Sequence, residues 1–114
     1  MYLYLIYDIA SDHYKIGVTN NPQRRMRELQ SANAGLLSWE GCVDREDALK
    51  VEKEIHGILN ELGAKVASGN LEWFWLDEGL LDDAKEVAEK YQIKGNIVEW
   101  MLDTYFKNNL VKSE

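Results

Sequence analysis

Two short runs at the start of the chain, YLYLIYDI at residues 2 to 9 and YKIGV at residues 14 to 18, constrain the fold most. The first is rich in aromatic and β-branched residues without clean alternation, the pattern of a strand buried on both faces. The second alternates, with Tyr14, Ile16 and Val18 on one face and Lys15 and Gly17 on the other. Only Ala10-Ser11-Asp12-His13 separates the two runs, so an antiparallel hairpin is the simplest connection.

Helices follow. Asn21-Pro22 reads as an N-cap with proline at the first helical position, and that helix runs to about Ser31 or Asn33. Residues 36 to 43 read as a third strand, after which Asp44 is expected to cap a long helix, DREDALKVEKEIHGILNEL, ended by Gly63. Residues 71 to 76, LEWFWL, form a fourth strand or extended segment. Helices over Leu80 to Tyr91 and Asn96 to Leu110, separated at Gly95, complete the chain. The pattern is α+β: a small antiparallel sheet flanked by helices, with two extra helices at the C-terminus. With no linker or repeat, one domain is expected, its core at residues 1 to 78 and its helical extension, 79 to 114, packed on the same body.

Bulk properties narrow the function. Cys42 is the one cysteine among 114 residues, which rules out an internal disulfide framework or a thiolate zinc cluster and points to a reducing cytoplasm. The N-terminus lacks signal-peptide character and no apolar stretch is long enough to span a bilayer, so a soluble, cytoplasmic protein without membrane contact is expected. The net charge of −7 argues against a general nucleic-acid binder. Its distribution is uneven, however. Residues 1 to 37 carry Lys15, Arg24, Arg25 and Arg27 against Asp8, Asp12 and Glu28, a locally positive region on an acidic body.

Helical geometry then singles out particular charges. At about 100° per residue, the apolar stripe of the first helix is Pro22, Met26 and Leu29, and Arg25 lies only about 70° from its centre. The long second helix has the stripe Ala48, Val51, Ile55, Ile58, Leu59 and Leu62, and Glu52 again lies about 70° from centre, with His56 one turn later on the same flank. A charge at the edge of a core is costly unless partnered, and it is also what pre-organised electrostatic catalysis requires. Arg25 and Glu52 pairing with each other, or reaching out to solvent, are the plainer readings.

In order along the chain, Tyr2-Leu3-Tyr4-Leu5-Ile6, Lys15-Ile16-Gly17-Val18-Thr19, Asn21-Pro22-Gln23-Arg24-Arg25, Val51-Glu52-Lys53-Glu54-Ile55-His56 and Glu72-Trp73-Phe74 resemble the GIY-YIG nuclease superfamily. The closest likeness is to its short phage and bacterial subgroup with a KIG-T second motif and a late EWF. The resemblance covers residues 2 to 76 and implies a DNA endonuclease using one Mg²⁺ or Mn²⁺ ion. It implies that Tyr4 belongs to the first motif, that Arg25 contacts the scissile phosphate and that Glu52 holds the metal. Lys15 stands where the superfamily has a tyrosine, which leaves the general base open between Tyr4 and Lys15. Gly17 would let the backbone approach substrate closely, and His56 would assist Glu52 or touch phosphate. Asn70 is the one candidate for the superfamily's late asparagine and is left unassigned.

Other features have ordinary readings beside functional ones. Trp73 and Trp75 suit base stacking or, more simply, the core. Cys42 is a small buried hydrophobe. The broad apolar surface of the last helix, with Ile97, Met101 and Tyr105 at four-residue spacing, suits either cover for the sheet's second face or a homodimer seam. The acidic body also motivates an alternative to an active enzyme: a catalytically weakened nuclease fold that binds a protein or nucleic-acid partner in phage and host conflict, as a nucleic-acid mimic would.

Overall fold

The computed structural model describes residues 1–62, 65–66, 73–76, 89–93 and 95–106. β1 (Tyr2–Asp8) and β2 (His13–Thr19) form the expected antiparallel hairpin, with Tyr4 opposite Gly17 and Ile6 opposite Lys15. Its turn places Asp12 at φ 58, closed by the Asp12 N–H donating to the Asp8 carbonyl at 2.9 Å. β3 (Leu37–Asp44) pairs antiparallel with the other edge of β1. β1 is therefore central, and Leu3, Tyr4, Leu5 and Ile6 are all essentially fully buried. Two short strands, β4 (Lys65–Val66) and β5 (Trp73–Phe74), complete a five-stranded sheet in the order β3-β1-β2-β5-β4. β4 was not anticipated from the sequence, and two residues carry no periodicity to read.

The sheet has two differently covered faces. α1 (Pro22–Ser31) lays Leu29 and Met26 over Tyr4, Ile6, Leu37 and Cys42. Asn21 caps this helix as its sequence predicts, accepting from the Arg24 N–H at 3.0 Å. The opposite face, with Leu3, Leu5 and Ile16, is covered by α2 (Ala48–Glu61) through Val51, Ile55, Ile58 and Leu59. α3 (Ile97–Met101) and the π-helical turn that continues it (Leu102–Phe106) add Ile97, Met101 and Phe106 to that same core. Asn96 caps α3, accepting from the Val98 N–H at 2.7 Å. These three side chains are buried within one copy, as cover for the sheet's second face requires.

Asp44 does not cap α2. It ends β3 opposite Tyr2, and its carboxylate receives the N-terminal ammonium of Met1 at 3.4 Å. The helix starts four residues later, and Asp47 at its N-cap makes no side-chain capping bond because its carboxylate is taken by Arg45 at 2.8 and 3.1 Å. Gly63, Asn70, Glu72, most of the expected Leu80–Tyr91 helix and the end of the last helix lie outside the described residues. No helix among the described residues is long and apolar enough to cross a membrane.

Candidate active site

β1 sets the centre of the site. Strand alternation turns Tyr2, Tyr4, Ile6 and Asp8 to the α1 face, and the β1–β2 register places Thr19, Gly17, Lys15 and His13 beside them. A Cβ on Gly17 would fall 2.4 Å from the Tyr4 hydroxyl oxygen and 2.6 Å from Cζ. Gly17 is thus the room in which the Tyr4 phenol lies. Trp39 on β3 closes the ring from another side, edge-on at 6.1 Å and 81°. Tyr4 is 1% exposed, and its ring has little freedom to rotate.

Arg25 comes to this phenol from α1. Its Nε donates a long hydrogen bond, 3.4 Å, to the Tyr4 hydroxyl, while its Nη1 lies 3.6 Å from the Glu28 carboxylate. The arginine is half-buried, and its ion-pair partner is this neighbour on its own helix and not Glu52. Glu52 arrives from α2, which packs on the opposite face of the sheet. Even so, the Glu52 charge reaches Tyr4 and helps to raise its pKa. Burial is the largest cause of that rise, opposed by the hydrogen bond and charge of Arg25. The resting phenol is therefore protonated, with the Arg25 cation hydrogen-bonded to it and the Glu52 carboxylate in electrostatic range.

The Glu52 carboxylate is half-buried and, among the described residues, makes no hydrogen bond or ion pair. Lys15 is buried at 7% exposure on the same face as Gly17 and has an interaction partner. His56, one turn after Glu52, places Nε2 2.8 Å from the Ile16 carbonyl oxygen and its ring 5.1 Å from that of Phe74. Cys42, opposite Tyr4 on β3, is fully buried, and burial together with the Asp44 charge pushes its thiol up to about 11, so it packs as a hydrophobe. Trp73 is buried in the α1-side core, whereas Trp75 is 54% exposed and sits edge-on to His13 at 5.8 Å.

The strand and the two helices thus bring Tyr4 and Arg25 into contact and Glu52 into electrostatic reach. Trp39 is the neighbour that sequence reading missed. The register shifts between Leu5 and Ile6, leaving Glu40 bulged out of β3, so Leu37 and Trp39 share a face with Cys42 and not with Gly41. Simple alternation fails at that point, and only the bulge explains the switch.

The fold is a small α+β domain in which an arginine meets a buried tyrosine on the central strand, with a carboxylate from the opposite face in electrostatic range. Residues 1–92 match the T5orf172 domain, and the chain belongs to that family. It is a phage-associated domain with an endonuclease-like fold, which points to a nuclease-like or DNA-binding function. No curated protein and no solved structure matches the chain.

Proposed function

We propose that this chain is a GIY-YIG-type endonuclease that hydrolyses DNA phosphodiester bonds with one divalent metal ion. The observation that carries this reading is the state of Tyr4, whose phenol is bound by Arg25 and feels Glu52 although the two helices cover opposite faces. A phosphoryl-transfer site needs that combination: a positioned cation for charge on the phosphate oxygens, an oxygen donor for a hard metal ion, and a group able to move a proton between them.

The residues fit such an ion. The half-buried Glu52 carboxylate offers hard oxygen donors and has no partner among the described residues. No group of three or more His, Cys, Asp or Glu gathers there among those residues. One carboxylate would suit Mg²⁺ or Mn²⁺, hard cations that take oxygen donors and keep several of their waters. When bound, the ion supplies Lewis-acid polarisation of the phosphate and a lowered pKa for nearby oxygen acids.

The chain's own residues do the rest. Arg25 binds the phosphate and offsets its growing negative charge, directed by the same guanidinium geometry that now reaches Tyr4. Tyr4, once its phenol has released its own proton to solvent, takes the proton of the attacking water as a tyrosinate, and its position between Gly17 and Trp39 fixes the oxygen that does so. Lys15, buried on the same face, is the alternative base. Plasmid nicking in Mn²⁺ tests the reading, with loss of about 10²-fold or more expected in Glu52→Ala and Arg25→Ala. Wild-type protein that binds DNA but leaves it intact, indistinguishable from Glu52→Ala, would make this a binding module instead.

A further inference from the structure

Eight residues after the start of its apolar stripe at Ala48, α2 brings His56 against β2. Its Nε2 lies 2.8 Å from the Ile16 carbonyl oxygen. A carbonyl only accepts, so Nε2 carries the proton and donates it. The ring is held from a second side by Phe74, at 5.1 Å and 56°. Ile16 lies between Lys15 and Gly17, and Gly17 is the residue that makes room for the Tyr4 phenol. One hydrogen bond therefore joins the helix that carries Glu52 to the strand segment that seats Tyr4.

We propose that His56 is a positioning residue: by clamping α2 to the Ile16 carbonyl it sets where the Glu52 carboxylate stands relative to Tyr4 and Arg25, and it does not itself exchange protons with substrate. The proposal rests on the nuclease reading for its consequence and on the observed contact for its geometry. Glu52 and His56 are one helical turn apart on a single flank, a rise of about 6 Å, so a slackened clamp displaces the carboxylate with the helix. Errors of about 1 Å in such groups cost roughly 10²-fold in rate.

Two variants separate this role from proton transfer. His56→Gln keeps a side-chain N–H that can reach the carbonyl; His56→Leu fills similar space without a donor. Mn²⁺ affinity, cleavage rate and the pH profile of cleavage are measured for both, with thermal melts to confirm folding. The expected result is that Leu weakens Mn²⁺ binding by about 10- to 100-fold, while Gln retains affinity, rate and the wild-type pH profile. Equal loss in Gln and Leu, with an altered pH profile in Gln, would make His56 a proton-transfer group. Unchanged Mn²⁺ affinity in a folded Leu variant would overturn the clamp as well. Nitrogen NMR of the histidine rings reads the contact independently of cleavage. A proton on Nε2 of His56 is expected, and a ring bare at Nε2 contradicts the proposal even if the nuclease reading stands. Wild-type protein that neither binds Mn²⁺ nor cuts DNA fails the nuclease reading, and the assigned consequence falls with it.

Discussion

Tyr4 and Gly17 form a pair that tolerates no change in volume. Gly17→Ala places a methyl where the phenol lies, 2.4 Å from its oxygen, so the ring or the strand must move. About 1–3 kcal/mol of destabilisation is expected in urea unfolding, with activity falling further because the same ring is catalytic in this account. Tyr4→Phe keeps the packing and removes the hydroxyl, and a loss of about 10²- to 10⁴-fold in cleavage with an unchanged melting temperature is expected. The pH dependence follows in sign. Burial raises the phenol pKa above its ordinary value, so the deprotonated form grows as pH rises. Cleavage should therefore increase across the neutral and mildly alkaline range in wild type, and Tyr4→Phe should lack that rise. At this scale the sequence was legible as far as flank angles, which put Arg25 and Glu52 at the edges of their apolar stripes, and both side chains are half-buried. It could not show that Gly17 serves Tyr4, because that contact crosses two strands.

Elements are joined by buried polar contacts. Asp8, at the end of β1, accepts from the Asn33 side chain at 3.0 Å and from the Ala10 N–H at 3.1 Å, tying the hairpin turn to the segment between α1 and β3. Gln30 reinforces that segment by donating to the Gly35 carbonyl at 2.8 Å and accepting from the Leu37 N–H at 2.9 Å. Burial pushes the Asp8 carboxyl up, but hydrogen bonds from Asn33, Ser11 and Ala10 outweigh it and hold the pKa below the usual value. A depressed folded pKa means that this stabilisation is complete above the unfolded value, near 4, and is lost as pH falls through the folded one. Urea unfolding at pH 6 and pH 3 should show a larger drop for wild type than for Asp8→Asn. Helix starts with local chemistry, such as Asn21-Pro22 and Asn96, were legible in the sequence. The start of α2 was not, because Arg45 competes for Asp47 and the N-terminal ammonium for Asp44, and neither competition has a sequence signature.

Across the whole molecule, the sheet is a partition with a different cover on each side. The C-terminal segment belongs to the α2 side, where Phe106 sits in a gap left by Gly41: a Cβ there would fall 2.7 Å from the Phe106 ring. Tyr105 adds a hydrogen bond to Glu54 at 3.1 Å, and its ring lies 5.7 Å from the Arg45 guanidinium. Phe106→Ala should cost about 3–5 kcal/mol in chemical unfolding, a loss that a merely peripheral helix would not cause. The α+β class and the hairpin were readable because they depend on local pattern. The strand order and the placing of α1 and α2 on opposite faces of the sheet were not, because they are set by long-range packing.

Glu52 and Arg25, borne by helices on opposite faces, are proposed to serve a single phosphate beside Tyr4. A crystal soaked in Mn²⁺ tests it most directly through anomalous scattering. One peak against the Glu52 carboxylate, on the side facing Tyr4 and Arg25, is the result expected. A protein that cuts DNA in Mn²⁺ yet shows the ion elsewhere, with the carboxylate of residue 52 turned away from the guanidinium of residue 25, would contradict the account.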